Sequence, residues 1–375
     1  MTELIPEVGT TVALRKNAFN QLLGTLEGMG YEPIGPRIQD DVLQVGLIEA
    51  LEDLPRGYTS EQNAGRYRLV YTGHPRYFDI TPGAASWKQY LFPPRAELFR
   101  VRRKGKSWKT EEPSDPMPIY AFVGVRPCDL SAIHVQDRVF FRENWSDPIY
   151  RTRRQSAFIL AVNCTHPGGT CFCASLGTGP KATSGFDLNM TELEDMFLVE
   201  VGSEAGRMVI AGLPFQPASA FLMQNASRLL DDARKKMGRE LPNPEELPDL
   251  LLNNLEAPLW DEVAQRCLSC TNCTQVCPTC FCWDVQDKPN LTGDVSVRER
   301  VWDSCFNPDY SYVAGGNTRP STRARYRQWL THKLGSWHHQ FGVLGCVGCG
   351  RCITWCPAAI DITAEVANLR KEAAA

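Results

Sequence analysis

The sequence predicts an α+β protein, with a mixed α/β domain over residues 1–240 and a mainly α-helical domain over residues 241–375. Short β-prone runs and amphipathic segments alternate through the first 215 or so residues. From about Pro217 onward the pattern changes to longer helical segments. The cysteine-rich stretches "CLSCTNCTQVCPTCFC" and "CVGCGRCITWCP" both fall in the second region. These three features place a soft boundary near residue 240.

In the first region, "RKNAFNQLLGTLEGMGY" has apolar residues at helical spacing followed by a glycine stop, and predicts a helix. Seven short β-prone runs follow, separated by turn residues. They are "DVLQVGLI", "RYRLVY", "ELFRVRR", "IYAFVGV", "FILAVN", "MFLVEV" and "RMVIAG". "IYAFVGV" and "FILAVN" are continuously apolar, as strands covered on both faces are. The helical segment "DLSAIHVQDRVF" lies between them and predicts a βαβ-like core.

In the second region, "SAFLMQNASRLLDDARKKMG" and "PEELPDLLLNNLEAPLWDEVAQRC" predict helices around a proline-rich joint at 241–248. From Ala257 onward we expect helices and loops with little strand. The two cysteine motifs are separated by 68 residues, 278–345, too many for a compact ferredoxin. This insert is rich in arginine and aromatic residues, and we expect helices there rather than hairpins.

Composition limits the class of protein. The 375 residues carry a net charge of −3, which gives no whole-chain attraction to nucleic acid or to an anionic membrane. The N-terminal segment has no apolar h-region, and no run is long enough to span a membrane. We therefore expect a cytoplasmic protein. Its 15 cysteines are an odd number in a reducing compartment, which favours metal or redox use over disulfides.

The two cysteine stretches share the spacing C-x2-C-x2-C-x3-C-P. This is the two-cluster ferredoxin pattern, in which the fourth cysteine of each run ligates the other cluster. Three thiolates two residues apart can surround one iron–sulfur cube, and the fourth points away after a longer step. One 4Fe–4S cluster is therefore predicted on Cys267, Cys270, Cys273 and Cys356, and a second on Cys346, Cys349, Cys352 and Cys277. Structural zinc is the alternative, but its sites use paired hooks with four ligands per ion, and the triple run would waste a ligand.

Four further cysteines follow two of the predicted strands. Cys128 comes after "IYAFVGV", and Cys164, Cys171 and Cys173 come after "FILAVN". If those strands are neighbours, the four thiols meet at one end of the sheet, the usual position of sites in α/β sheets. They are either the ligands of a third iron–sulfur cluster or a set of packed cysteines.

The remaining candidates are weaker. Cys280, Cys282 and Cys305 are expected in the core or beside the first cluster. His166 is either a ligand or, more commonly for a lone histidine in a loop, only hydrogen-bonded. The glycine-rich loop at 177–185 could approach a phosphate or a flavin, although such a loop needs no ligand.

Arginines are concentrated in the insert. Arg319, Arg323, Arg325 and Arg327 precede Trp329 and could suggest nucleic-acid contact. In an acidic chain they are better interpreted as a solvated helix face, a docking surface, or cations that ease the burial of anionic clusters. No nucleic-acid partner is expected.

Together, "VGVRPCDLSAI", "NCTHPGGTCFCASLGTGP", "CLSCTNCTQVCPTCFC", "RYRQWLTHKLG" and "FGVLGCVGCGRCITWCPAAIDIT" resemble the beta subunit of cytoplasmic sulfhydrogenases, the NAD(P)-linked nickel–iron hydrogenases. The dicluster iron–sulfur component of anaerobic sulfite reductase shares the pattern. The resemblance implies a two-cluster electron carrier with the same eight cysteine ligands. It also implies partners: a subunit that binds flavin and NAD(P), and the small and large nickel–iron subunits. The N-terminal cysteines match the family's pattern too.

We therefore expect a non-catalytic electron-transfer subunit of a multisubunit oxidoreductase, most plainly a nickel–iron hydrogenase. The chain lacks the dinucleotide fingerprint, the phosphate loop and the common hydrolase motifs. Two alternatives stay open: an electron-transfer subunit of an anaerobic sulfite reductase, and a reductase subunit that itself binds flavin. A zinc-stapled scaffold without a redox role is a third.

Overall fold

The computed structural model describes residues 6–113, 117–142 and 144–374. Within those residues the strands, in chain order, are β1 (Thr11–Arg15), β2 (Glu32–Gln39), β3 (Val42–Leu47), β4 (Gly57–Asn63), β5 (Arg66–His74), β6 (Arg95–Lys104), β7 (Ser107–Glu111), β8 (Tyr120–Val125), β9 (Phe158–Val162), β10 (Leu188–Glu192), β11 (Met196–Val201), β12 (Phe215–Pro217), β13 (Trp283–Pro289), β14 (Val295–Trp302), β15 (Tyr312–Val313) and β16 (Gly316–Asn317).

The α-helices of the same residues are α1 (Phe19–Gly28), α2 (Lys88–Leu91), α3 (Pro127–Phe140), α4 (Pro148–Ser156), α5 (Glu204–Ala211), α6 (Ala220–Lys235), α7 (Leu247–Asn253), α8 (Leu259–Arg266), α9 (Asn272–Gln275), α10 (Thr322–Thr331), α11 (Trp337–Phe341), α12 (Arg351–Thr354) and α13 (Ile362–Ala373). A π-helical turn, His332–Ser336, joins α10 to α11. The predicted mixture of helix and strand is confirmed.

The largest sheet has eight strands in the order β12-β1-β11-β10-β9-β8-β2-β3. Its centre is parallel, since β8 pairs with β9, β2 and β10 extend the same direction on either side, and α3 connects β8 to β9. All five side chains of β9 and the last five of β8 are buried, which explains their uninterrupted apolar sequence. The predicted βαβ-like core is confirmed.

One predicted strand is wrong. The run "RMVIAG" belongs to the helix α5, not to a strand. Ser203 caps this helix, because its side chain accepts a hydrogen bond from the Gly206 N–H, and Glu204 occupies the first turn. Val209 and Ile210 are buried on one helical face. A short apolar run of this kind is ambiguous between strand and helix, and here the cap decides for the helix.

The expectation of helices and little strand in the insert is also wrong for its first half. β13 and β14 form an antiparallel hairpin, and β14 pairs with β6 in a four-stranded sheet ordered β13-β14-β6-β7. The turn between them carries an Asn-Leu-Thr-Gly-Asp sequence, and Pro289 closes the outer strand, a position where no ladder N–H is needed. The second half is helical as expected, through α10, the π turn and α11.

The two predicted regions contact each other extensively. One hydrophobic core lies on the large sheet and includes Phe19, Phe158 and Phe197. Another lies among the C-terminal helices and includes Trp260. Phe172 from the first region is buried in the second core, and β6 pairs with the hairpin of the insert. The boundary near residue 240 therefore stays a prediction.

Candidate metal centres

The first cysteine motif lies in a loop between two helices. Cys267 caps the C-terminus of α8, and Cys273 lies in the single-turn helix α9. Between them, Ser269 and Thr271 have φ angles of 50° and 68°, in the left-handed region. Two such residues in so short a loop turn the chain tightly, so its sulfurs face a common space.

Four sulfurs meet at this first motif, and we call them group 1: Cys267, Cys270, Cys273 and Cys356. All four line one cavity of about 440 Å³, part of which opens to solvent. Burial, followed by the neighbouring sulfurs of Cys267, Cys356 and Cys270, raises the pKa of the Cys273 thiol well above its usual range. Apolar side chains close the cavity, among them Phe306, Trp329 and Ile360. Cys356, from the second motif, is thus brought to the first.

Four other sulfurs meet at the second motif, and we call them group 2: Cys346, Cys349, Cys352 and Cys277. Burial, followed by the sulfurs of Cys346, Cys349 and Cys277, raises the pKa of the Cys352 thiol well above its usual range. Burial also raises the pKa of Cys346 to about 12. The two groups adjoin each other, because Cys273 acts electrostatically on Cys352 and Cys352 also lines the cavity of group 1.

Two buried cations accompany group 2. The Lys333 ammonium, on the π turn, donates hydrogen bonds to Cys277 Sγ at 3.3 Å, Thr279 Oγ1 at 2.9 Å and the Gly345 carbonyl at 3.0 Å. Lys333 is only 3 % exposed. The pKa of Cys277 is held well below its usual range by a hydrogen bond from Cys280, against the effect of burial and with further help from the Lys333 charge.

The second cation is Arg351, inside the second motif. It forms a two-pronged ion pair with Asp129 of α3, at 2.7 and 2.9 Å, and donates to the carbonyls of Gly83 and Ala85. The guanidinium also counteracts the effect of burial on the pKa of the Cys349 thiol. Arg351 therefore fastens the second motif to the N-terminal region and brings positive charge to group 2.

The four N-terminal cysteines form a third set: Cys128, Cys164, Cys171 and Cys173. Burial raises the pKa of Cys173 well above its usual range, and the sulfurs of Cys171, Cys164 and Cys349 add to it. Burial does the same to the pKa of Cys128, with Asp129 and then Cys173 adding to it. Since β8 and β9 are neighbours, the predicted meeting of these thiols at one sheet end has its structural basis. The set adjoins group 2, because the Phe172 N–H donates to the Gly348 carbonyl at 2.9 Å.

The thiol groups differ from a mononuclear metal site. Among the residues that the structure describes, no three His, Cys, Asp or Glu side chains are placed to hold one metal ion. A 4Fe–4S cube offers four separate irons, so its ligands stand farther apart than four ligands of one zinc. A cavity walled by thiols and apolar side chains fits the cube in chemistry.

Comparison with known proteins agrees with this interpretation of the cysteines. Residues 266–360 match the family described as a 4Fe-4S dicluster domain. Over 320 residues the chain is 36 % identical to sulfhydrogenase 2 subunit beta of Pyrococcus furiosus, a match that covers 84 % of this chain and 92 % of that protein. The chain belongs to the sulfhydrogenase beta subunit family. No solved structure gives a significant match. The family predicted from the sequence is thereby confirmed.

In this member of the sulfhydrogenase beta subunit family, the three other cysteines also lie near the groups. Cys280 hydrogen-bonds to Cys277, and Cys305 hydrogen-bonds to Cys282. Sequence analysis expected them in the core or beside the first cluster. It missed Lys333 and Arg351, whose only signal was a basic residue within or next to a cysteine motif.

The insert's arginines are tied to their own chain. Arg323 pairs with Glu256 and Asp261, at 3.0 and 3.2 Å, and Arg327 pairs with Glu256 at 2.8 Å. Arg325 is buried and donates to backbone carbonyls of the loop before α10. These contacts fasten α10 to the segment around α8, just before the first motif.

Two weaker candidates have plain surroundings. His166 Nε2 lies 3.0 Å from Thr59 Oγ1, and its ring is exposed. The glycine-rich loop contributes Pro180 and Lys181 to the wall of a polar cavity of about 840 Å³, open to solvent, beside α6. In the described part of the chain, no helix is both long and apolar enough to cross a membrane.

Proposed function

We propose that this chain is the iron–sulfur electron-transfer subunit of a cytoplasmic nickel–iron hydrogenase, carrying two 4Fe–4S clusters on groups 1 and 2. In this proposal it relays electrons between a subunit that binds flavin and NAD(P) and the small and large nickel–iron subunits. The family membership and the dicluster domain support it, and the match to a sulfhydrogenase subunit favours hydrogenase over sulfite reductase. All 15 cysteines are free thiols, as ligand use in a reducing compartment requires.

The observation that carries the proposal is the exchange of fourth cysteines. Cys356 lines the cavity of group 1, and Cys277 neighbours the three other sulfurs of group 2. Each group therefore offers four sulfurs drawn from both motifs, the ligand pattern of two-cluster ferredoxins. When bound, a 4Fe–4S cluster takes up and releases single electrons. The protein's part is to hold the sulfurs, exclude water with apolar side chains and supply the nearby charge.

Adjacency of the groups supports a relay. Cys273 of group 1 feels the charge of Cys277, and Cys352 of group 2 feels that of Cys273. Group 1 reaches the surface, because Cys270 is exposed and Leu268 beside it is 67 % exposed. An electron donor or acceptor docked there would lie close to group 1, with group 2 next in line.

The test is iron and acid-labile sulfide analysis of protein purified without oxygen. Two clusters give about eight irons per chain, and Cys349→Ser is expected to lose up to about four of them. Cys282→Ser, which removes a nearby thiol outside both groups, is the matched control and keeps the full content. About four irons or fewer in the unaltered protein, or stoichiometric zinc, contradicts the proposal.

We extend the proposal to a third cluster on the third set. The observation that favours it is the mutual proximity of Cys128, Cys164, Cys171 and Cys173 beside group 2. A third cluster raises the iron content to about twelve per chain, and Cys173→Ser then lowers it toward eight. An iron content of about eight that Cys173→Ser leaves unchanged contradicts this extension alone.

A further inference from the structure

Three thiols lie outside the two groups and the third set, and they form a chain between the groups. Cys280 hydrogen-bonds to Cys277 of group 2, and Cys305 feels the charge of Cys273 of group 1. Cys282 lies between these two, near Cys280 and hydrogen-bonded to Cys305. The proposed relay needs none of the three.

The β13–β14 hairpin brings Cys282 and Cys305 together. Cys282 immediately precedes β13, and Cys305 follows β14 by three residues. The strands remain paired up to that end, where Trp283 opposes Trp302 and the Asp303 N–H donates to the Cys282 carbonyl at 2.9 Å. The two thiols consequently meet across the open end of the hairpin and share a hydrogen bond. This approach comes from strand register, so it is built into the fold.

The surroundings of the pair favour thiolate at Cys282. Its sulfur also hydrogen-bonds to the Tyr310 hydroxyl, and these partners, with the charge of Lys333, lower the pKa of Cys282 to about 6. The causes begin with the Cys305 hydrogen bond, which outweighs burial. A second buried cation, Lys88, lies 3.8 Å from the centre of the Trp302 ring and feels the charge of Cys282. Cationic, partly exposed surroundings of this kind mark reactive cysteines.

The pair also has the asymmetry of a reactive dithiol. The same hydrogen bond that supports thiolate at Cys282 raises the pKa of Cys305, which keeps its proton as the resolving thiol. Both cysteines are half-buried, so small molecules can reach them. Packed structural cysteines, in contrast, are inert because burial alone keeps them protonated.

We infer that Cys282 and Cys305 form a redox-active dithiol that reacts with small-molecule disulfides and closes to an intramolecular disulfide at the base of the hairpin. The Cys282 thiolate attacks one sulfur of the small disulfide, forming a mixed disulfide and releasing one small thiolate. Cys305 then loses its proton and attacks Cys282, forming the Cys282–Cys305 bond and releasing the second small thiolate. The small disulfide is reduced by two electrons, and the two protein thiols are oxidised by two.

The probe is oxidised glutathione, applied without oxygen to the full-length protein with its iron in place. Free thiols are then alkylated, and the digested peptides are analysed by mass spectrometry. The unaltered protein is expected to yield a peptide cross-linked through Cys282 and Cys305. Cys305→Ser is expected to stop at the mixed disulfide on Cys282, while Cys282→Ser leaves Cys305 fully alkylated.

Cys280→Ser is the matched control, because it removes the neighbouring thiol and leaves the pair, so the cross-link is kept. Tyr310→Phe removes one hydrogen bond to Cys282 and is expected to slow the reaction severalfold without preventing it. The inference is overturned if Cys282 and Cys305 are both alkylated after the most oxidising treatment. It is also overturned if the cross-link appears only in protein that has lost its iron. Iron is measured in the same samples, so failure of the proposed function shows as missing iron and not as a missing cross-link.

Discussion

The two cysteine motifs have the same spacing, yet they lie in different surroundings. Group 1 lines a cavity that opens to solvent, and Cys270 is exposed. Group 2 is accompanied by buried charges, with the Lys333 ammonium on Cys277 and the Arg351–Asp129 pair beside Cys349. Spacing thus determines which sulfurs meet, whereas the rest of the chain determines the charge and water around them. The difference teaches that two sites with one motif need not have one redox potential.

The largest effect of breaking this asymmetry is expected from Arg351→Met. Asp129, which is 3 % exposed, would remain as an unpaired buried charge. Removing one partner of a buried pair costs about 3–5 kcal/mol, so the apparent free energy of unfolding in urea should fall by that amount.

The control comes from the group 1 side. Arg323→Met removes a cation whose partner Glu256 is 79 % exposed, and it should cost about 1 kcal/mol or less. Equal losses for Arg351→Met and Arg323→Met would mean that the buried pair does not distinguish the second motif.

A second prediction concerns redox potential. Lys333→Met removes a positive charge 3.3 Å from Cys277 Sγ, and a cation next to the ligand favours the more negative, reduced state. The midpoint potential of the group 2 centre should fall by about 60 mV or more, where about 60 mV is a tenfold change for one electron. The group 1 centre should change much less.

An anaerobic redox titration followed by electron paramagnetic resonance measures both centres in one sample. Lys288→Met is the matched control, because Lys288 pairs with Glu299 on the hairpin surface and is 40 % exposed. Equal shifts of both centres with Lys333→Met would contradict the assignment of Lys333 to group 2.

A smaller effect is expected in the rate of iron loss. Since Cys270 is exposed and Cys277 is buried, a water-soluble iron chelator should remove iron from group 1 severalfold faster than from group 2. The paramagnetic signals of the two centres report which disappears first. Loss at one rate, or first from group 2, would show that the open cavity gives no access.

The sequence predicted the βαβ core and both groups of sulfurs because these depend on local patterns. Apolar runs identify β8 and β9, and the repeated spacing indicates which sulfurs can meet. The hairpin in the insert was missed because its strands are partly exposed and carry charged residues, so their alternation is faint. β14 owes its stability to pairing with β6, about 200 residues earlier, which no local pattern reveals.

The charges around group 2 were missed for a similar reason. Lys333 and Arg351 look like ordinary basic residues in sequence, and only folding buries them against Cys277 and Asp129. The chain of Cys280, Cys282 and Cys305 likewise depends on the hairpin that was not predicted. Long-range pairing, not motif spacing, therefore determines how the two sites differ.

The exchange of fourth cysteines is the central claim, and paired substitutions test it most directly. Electron paramagnetic resonance of Cys277→Ser, Cys356→Ser, Cys270→Ser and Cys349→Ser shows which of two reduced-state signals each variant alters. We expect Cys277→Ser to alter the same signal as Cys349→Ser, and Cys356→Ser to alter the same signal as Cys270→Ser. If Cys277→Ser instead alters the signal that Cys270→Ser alters, each motif keeps its own fourth ligand and the proposed exchange is wrong.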